Sequence, residues 1–272
     1  MKFNRVYAIV LRQFYLIRGS FTRVIPLFAW VAIDMVLWGF ITKFLNNVTS
    51  LGSGATSLNF VPTLLGAVLL WDFLTRVMQG VTMAFFEDVW SRNFLNVFAS
   101  PLSIREYLSG LVVSSLLTSS IGLSVMLIVA GIFFGLSFYS YGFLFAGFVF
   151  VLFLFGIALG IFATAIVLRL GPASEWFVWP IPALLSPFAG VFYPLSTLPE
   201  WMQWISKLLP PSYVFENLRA LVTGGQASQS SLVIGLAIAS FELLLACYFF
   251  ARTHRFAVRT GLIARYSAET VS

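Results

Sequence analysis

Long apolar stretches separated by short polar segments are the main pattern of the chain. A helix that crosses a bilayer needs about 20 consecutive apolar residues, and six stretches reach that length. We predict spans at 24–45, 59–83, 107–135, 141–168, 176–196 and 231–251. The pattern therefore predicts an all-α integral membrane protein with six transmembrane helices.

The first 23 residues have a different periodicity and are predicted to form an interface helix. Their apolar residues recur at steps of three and four, which places one stripe along a helix face. The stripe consists of Phe3, Tyr7, Val10, Phe14, Ile17 and Phe21. Lys2, Arg5, Arg12 and Arg23 fall on another face, so we expect them near anionic lipid headgroups. The alternative is that the apolar stripe packs on a soluble partner.

Composition supports a membrane location. Of the 272 residues, 60% are hydrophobic and 10% are charged, whereas soluble domains have about 25% charged residues. The mean hydropathy is +0.95. The single cysteine, Cys247, excludes an intramolecular disulfide.

The distribution of basic residues predicts the orientation. Of 16 Lys and Arg residues, 12 fall on the four segments that lie on the side of the N-terminus. Because basic residues concentrate on the cytoplasmic side, both termini are predicted to be cytoplasmic. We divide the chain into an interface helix at 1–23, a six-span domain at 24–251 and a basic cytoplasmic tail at 252–272.

Four ionisable residues fall inside the predicted spans, where a charge costs roughly 2.5–3.5 kcal/mol and normally faces the bundle interior or water. They are Asp34, Asp72, Arg76 and Glu242. Asp72 and Arg76 are four residues apart and are expected to pair, either to hold spans together or to line a polar path. Asp34 is expected to pair with Arg76 across the bundle or to line the same path. Glu242 is expected to be protonated or to bond to a neighbouring helix.

The segment between spans two and three predicts a cytoplasmic helix that can receive force. An amphipathic helix fits 86–99, and Ser103 with Glu106 forms a capping box that starts the third span. The alternative is a helix that floats on the bilayer surface. The residues predicted to receive this force are Glu87, Asp88, Trp90, Arg92, Asn93 and Phe94.

Residues 184–211 are apolar but contain five prolines. Proline removes a backbone donor, and an unpaired backbone group is costly in lipid. We predict a helix that reaches the outer face, a turn at 193–199, a short helix at 200–208 and a second break at 210–211. The residues predicted to form an extracellular gate are Gly190, Tyr193, Pro194, Pro199 and Trp201.

The sequence lacks the usual signatures of catalysis. It contains no Gly-Lys pair, and so no phosphate-binding loop of the P-loop type. The only histidine is His254, which argues against a metal site built on His and Cys. We expect no enzyme activity and no cofactor in this chain.

Three features resemble the type-2 ABC transporter permeases, the ABC-2 family of bacterial drug, polysaccharide and lipid-linked glycan exporters. The first is the layout of a basic interface helix followed by six spans. The second is the loop NVFASPLSIREYLSG before the third span. The third is the segment AGVFYPLSTLPEWMQWISKLLPPSYVFENLRAL at 189–221, which has Ala-Gly where the family often has Ser-Gly.

The resemblance implies a permease subunit of an ATP-driven exporter in a bacterial-type inner membrane. ATP and Mg would bind to a separate cytoplasmic ABC ATPase present in two copies, on which the 86–99 helix would dock. The permease would pair with a second copy as a homodimer, or with a related chain. The motifs do not identify the cargo, and the direction of transport comes from the family alone.

Two other functions are compatible with these residues. An ion-coupled secondary transporter would work without an ATPase, and Asp34 or Glu242 would titrate during its cycle. A non-transporting membrane scaffold would form complexes without any substrate-stimulated ATPase activity.

Overall fold

The computed structural model describes residues 2–19, 21–52, 61–91, 93, 96–97, 100–136 and 141–262. All regular structure in these ranges is helical, which confirms the predicted all-α class. The α-helices are α1 (Phe3–Arg18), α2 (Phe21–Gly52), α3 (Gly66–Trp90), α4 (Ile104–Phe134), α5 (Leu144–Leu170), α6 (Ile181–Ala189), α7 (Glu200–Ser206), α8 (Pro210–Val222) and α9 (Gln229–Arg259). A π-helical turn precedes α3 at Val61–Leu65, and 3-10 turns lie at Pro172–Phe177 and Leu195–Thr197.

Four helices in the described part of the chain are long and apolar enough to cross a membrane. They are Thr63–Trp90, Ile104–Phe134, Leu144–Leu170 and Gln229–Arg259, and they match predicted spans two, three, four and six. The last of them continues to Arg259, so the start of the predicted tail at 252–272 is helix rather than a separate segment. Residues 263–272 of that tail lie outside the described residues.

The boundary between the first two helices also differs from the prediction. Helix α1 ends at Arg18, where the backbone N–H of Gly19 bonds to the carbonyl of Tyr15 at 3.0 Å. Helix α2 begins at Phe21 and includes the predicted first span. The predicted interface helix at 1–23 is therefore shorter than its apolar stripe indicates.

The predicted fifth span at 176–196 is wrong as a continuous helix. Its residues belong to the end of the 3-10 turn Pro172–Phe177, to α6 and to the turn after α6. Proline occupies the first turn of α6, where a missing N–H is tolerated, and Gly190 ends the helix with φ of 64°. Nine helical residues rise about 13 Å, less than half of the roughly 30 Å hydrocarbon core.

Helix α5 is the centre of the bundle and packs against α3 and α9. At Gly156 and Gly160 an added Cβ atom would lie 2.8 Å and 2.7 Å from the Cβ atoms of Val77 and Val81. Small residues allow such close backbone approach, which is typical of helix packing in membranes. Helix α4 lies on the other face of α3 and also contacts α1 and α2.

Different helices pack together at the two ends of the bundle. At the α1 end, α1 packs on the start of α4 next to the last turn of α3. At the α8 end, α8 packs on the π-helical turn before α3 and on α9. The 25 residues of α3 separate these ends by about 37 Å, at 1.5 Å per residue.

Candidate functional site

Five residues fasten α1 to α3 and α4, and we call them the α1 clamp: Arg5, Arg12, Asp88, Glu106 and Tyr107. Arg12 Nη2 donates to Asp88 Oδ1, and Tyr107 Oη donates to Asp88 Oδ2 at 2.8 Å. Only 1% of the Asp88 side chain is exposed. A buried carboxylate is stable only when it is paired and hydrogen-bonded, and this one meets both conditions.

The second half of the α1 clamp is built on the predicted capping box, which the structure confirms. Ser103 N donates to Glu106 Oε2 at 2.9 Å, and Glu106 N donates to Ser103 Oγ at 3.3 Å. The same carboxylate accepts from Lys2 N at 2.7 Å and from Arg5 Nη1 at 3.2 Å. One acidic residue thus caps α4 and anchors the first turn of α1.

Arg5 and Arg12 of α1 turn toward the bundle, which corrects their predicted place at lipid headgroups. Lys2 is exposed, and the side chain of Arg23 lies outside the described residues. Arg5 and Arg12 pair with carboxylates of the protein itself. The exposed residues of the predicted apolar stripe are Phe3, Tyr7 and Phe14. The predicted stripe extends beyond α1, because Phe21 belongs to α2, and the carboxylate partners of Arg5 and Arg12 lie 101 and 76 residues away in sequence.

The middle of α1 packs closely on the bundle. Val6, Ile9 and Gln13 are its buried residues, and Gln13 Nε2 donates to the Ala84 carbonyl at 3.3 Å. An added Cβ at Gly110 would lie 2.7 Å from Ile9 Cβ. The helix is thus held along its length, by ion pairs and by packing.

A groove of about 390 Å³ lies between α1 and the loop that precedes α4. Its lining combines two arginines with amide, hydroxyl and apolar groups. The lining residues are Arg5, Ala8, Ile9, Arg12, Asn93, Asn96, Val97, Ser100, Pro101, Leu102 and Tyr107. The groove therefore combines the α1 clamp with the predicted coupling segment.

The predicted helix over 86–99 is not continuous, because α3 ends at Trp90 and helical structure resumes at residues 96–97, where Val97 N bonds to the Asn93 carbonyl at 3.0 Å. Glu87, Asp88 and Trp90 belong to the last turn of α3, which corrects the predicted helix start. Asn93 follows the turn at Ser91, and its backbone N–H bonds to the Asp88 carbonyl at 3.1 Å. Asp88 is buried inside the α1 clamp rather than on the surface. Arg92 and Phe94 lie outside the described residues.

Trp90, the last residue of α3, contacts the 3-10 turn that follows α5. Its Nε1 donates to Glu175 Oε2 at 2.9 Å, and 47% of Trp90 is exposed. Glu175 lies in the 3-10 turn after α5, where Trp176 and Phe177 are also exposed. The sequence analysis missed this turn because its partner residue is 85 positions away.

The predicted pair inside the membrane region is confirmed. Arg76 Nε donates to Asp72 Oδ2 at 2.9 Å. Asp34 of α2 lies within electrostatic range of Arg76, so the structure brings these three predicted residues together. An added Cβ at Gly122 would lie 3.3 Å from Arg76 Cδ, which shows that α4 packs on the arginine stem. We call these three charged residues the polar cluster.

Glu242 has a different environment on α9. Its Oε2 atom is buried and finds no hydrogen-bond partner among the described residues. The neighbouring Phe241, Leu244 and Leu245 are exposed. The structure thus gives no contact between Glu242 and the polar cluster.

The predicted gate residues meet at the α8 end, and residues 190–195 form what we call the gate turn. Gly190 has positive φ, and Tyr193 Oη donates to the Pro187 carbonyl at 2.8 Å. Pro194 precedes the 3-10 turn Leu195–Thr197. The predicted turn at 193–199 is therefore present.

The short helix predicted at 200–208 is present as α7. Pro199 precedes α7, and Trp201 is exposed and packs edge-on against Phe188. The break predicted at 210–211 is the first turn of α8, where two prolines cost no helical hydrogen bond.

Two residues of α8 that the sequence analysis did not select hold the gate turn. Arg219 Nη2 donates to the Gly190 carbonyl at 2.7 Å and to Glu216 Oε1 at 2.8 Å. Glu216 Oε1 also accepts from Leu195 N at 2.8 Å. Their i, i+3 spacing is a visible signal for an ion pair, but no local pattern indicates contacts across 28 or 29 residues.

The gate turn also contacts α2. The rings of Phe192 and Trp38 stack with centroids 5.2 Å apart and planes 12° apart. Between α7 and α8, Tyr213 Oη donates to the Lys207 carbonyl at 2.8 Å. Partial burial raises the pKa of Tyr213, so its phenol keeps the proton that it donates.

Four long apolar helices with charged residues packed between them define an integral membrane protein. The sequence profile of the ABC-2 type transporter family matches residues 5–223, from α1 to the end of α8. The chain belongs to this family and is the membrane permease of an ABC transporter. A search of curated proteins returns no significant match.

Proposed function

We propose that this chain is the permease subunit of an ATP-driven exporter. Two copies of a separate cytoplasmic ABC ATPase would bind ATP and Mg and hydrolyse the nucleotide, and the permease would pair with a second copy of itself. The location that we propose is a bacterial-type inner membrane, with both termini in the cytoplasm. Of the six proposed spans, the fifth is then discontinuous and consists of the 3-10 turn Pro172–Phe177 together with α6. The α1 clamp is the observation that supports the proposal most, because its hydrogen bonds tie α1, α3 and α4 together at one end of the bundle.

The α1 end is where we place the ATPase. Any force applied to α1 or to the segment after α3 reaches α3 and α4 through Asp88 and Glu106. Trp90 presents an exposed ring that is held by Glu175. An exposed tryptophan that is held in one orientation is a common anchor in protein interfaces.

The polar cluster supports a polar path between the two ends. Charged groups at membrane depth normally face a bundle interior or water. The path would pass Asp34, Asp72 and Arg76 and leave at the gate turn, which we place on the outer face.

The apolar face of α2 is where we place the second permease copy. Ile33, Leu37, Phe40 and Phe44 are exposed and lie at steps of three and four on one helix face. A face of this kind contacts lipid or another copy of the chain in the membrane.

The test is capture of the ATPase by the tagged chain after co-expression with the ABC ATPase encoded beside it. We expect Trp90→Ala to weaken binding roughly 30-fold, since truncation of an interface tryptophan often costs about 2 kcal/mol. Trp204→Ala is the matched control, because this exposed tryptophan is at the other end of the molecule. Equal capture by wild type and Trp90→Ala places the docking site elsewhere, and no capture of any ATPase refutes the proposed function.

A further inference from the structure

The gate turn is held from one side by a single pair of side chains on α8. The Arg219 guanidinium is largely buried and donates to the Gly190 carbonyl at 2.7 Å and to the Val191 carbonyl at 3.5 Å. Gly190 ends α6 with φ of 64°, so its carbonyl accepts no helical hydrogen bond from α6 and can accept one from a side chain. The guanidinium fork matches two adjacent carbonyls, which a point charge cannot do.

The other end of the gate turn is held by the same pair. Glu216 Oε1 accepts from the Leu195 backbone N–H and from Arg219 Nη2, each at 2.8 Å. One carboxylate oxygen therefore joins the arginine to the far end of the turn. Loss of either side chain releases contacts at both ends of the turn.

The opposite face of the gate turn rests on α2 near the polar cluster. Phe192 stacks on Trp38, which lies one helical turn from Asp34. Asp34 is in turn within electrostatic range of Arg76. The gate turn thus contacts α8 on one side and, on the other side, the helix α2 that carries Asp34.

We propose that Arg219 and Glu216 are positioning residues that latch the gate turn against α2 and keep the outer end of the polar path closed. When the latch opens, the turn leaves Trp38 and uncovers Ala189 and Val191, which are fully buried in the closed state. The role of the latch in export rests on the proposed function, but the latch itself does not.

The experiment measures how fast a buried cysteine reacts with a membrane-impermeant maleimide. Cys247 is the only cysteine, so Cys247→Ser gives a cysteine-free chain, to which Ala189→Cys is added. The full chain is placed in lipid nanodiscs, where both faces are accessible, without any ATPase. We expect Arg219→Gln and Glu216→Gln to speed labelling roughly tenfold or more, because charge-assisted hydrogen bonds of that strength are lost.

Two further variants separate a latch from a general loss of structure. Arg219→Lys keeps the charge but not the fork, so its labelling rate should lie between those of wild type and Arg219→Gln. Ala163→Cys is the control, because Ala163 is fully buried in α5 within the bundle. Its cysteine should stay unreactive when only the latch is broken.

Unchanged labelling of Ala189→Cys in both glutamine variants overturns the latch. Equal acceleration at Ala163→Cys also overturns it, because the whole bundle would then have loosened. Neither result tests the proposed export function, which fails only if no ATPase binds the chain.

Discussion

Gly156 and Gly160 let α5 approach α3 more closely than any larger residue allows. Their positions meet both side chains and backbone carbonyls, with the Leu74 and Met78 carbonyl oxygens 3.0 Å from the added Cβ atoms. Backbone cannot move aside as a flexible side chain can. A side chain at either glycine would therefore push α5 away from α3.

We expect Gly160→Ala to lower the melting temperature of the purified chain. The methyl group would overpack the α3–α5 contact at a cost of up to about 3 kcal/mol, against a gain of roughly 1 kcal/mol from the better helix propensity of alanine. Gly131→Ala is the control, since its Cβ would make only an ordinary 3.7 Å contact. A Gly160→Ala chain as stable as Gly131→Ala would contradict this packing.

Tyr107→Phe tests the buried hydrogen bond of the α1 clamp. Tyr107 is 1% exposed and donates to Asp88, so its loss leaves a carboxylate oxygen unsatisfied. The expected cost is about 1–3 kcal/mol, or roughly 2–8 °C in melting temperature. Tyr248→Phe, at an exposed tyrosine of α9, should melt within about 1 °C of wild type, a change within the range of neutral surface substitutions. Equal melting of both variants would contradict the hydrogen bond.

At the scale of helices, the sequence predicted what depends on local pattern. Spans two, three, four and six follow from runs of apolar residues, and the Ser103–Glu106 capping box spans three positions. The pair Asp72–Arg76 lies within one turn of one helix. These features need no knowledge of the remaining chain.

The features that the sequence did not predict depend on distant partners. Arg12 pairs with Asp88 across 76 residues, so periodicity alone assigned the basic face of α1 to lipid. The fifth span was predicted from hydrophobicity, but the prolines at 180 and 182 and the turn at Gly190 divide it. The contacts of Arg219 with the gate turn were overlooked because the acceptors there are backbone carbonyls, which have no sequence signal.

Arg12→Gln should loosen α1 as a unit. It removes the charge partner of buried Asp88, and since about a third of Arg12 is exposed we expect a cost of roughly 2–3 kcal/mol, below that of a fully buried pair. Limited proteolysis should then cut near Gly19 faster than in wild type. Arg18→Gln, at an exposed residue of the same helix, should leave the cleavage rate unchanged. Identical cleavage of the two variants would contradict the clamp.

At the scale of the whole molecule, two polar assemblies lie at opposite ends of α3. The α1 clamp joins α1, α3 and α4 at one end, and the latch joins α8, the gate turn and α2 at the other. Helix α3 connects these assemblies, since its Trp71 contacts Phe215 of α8, and α2 and α3 carry the polar cluster between them. A movement at the α1 end can therefore reach the gate turn through rigid helices.

The most direct test of this account is nucleotide-dependent labelling of Ala189→Cys in the permease–ATPase complex. We predict slow labelling without nucleotide and faster labelling when the ATPase is held in its ATP-bound state. The acceleration should disappear in a complex whose ATPase cannot bind ATP, while the Ala163→Cys control stays unreactive throughout. Labelling of Ala189→Cys that is independent of nucleotide, in a complex that hydrolyses ATP, would contradict coupling between the two ends.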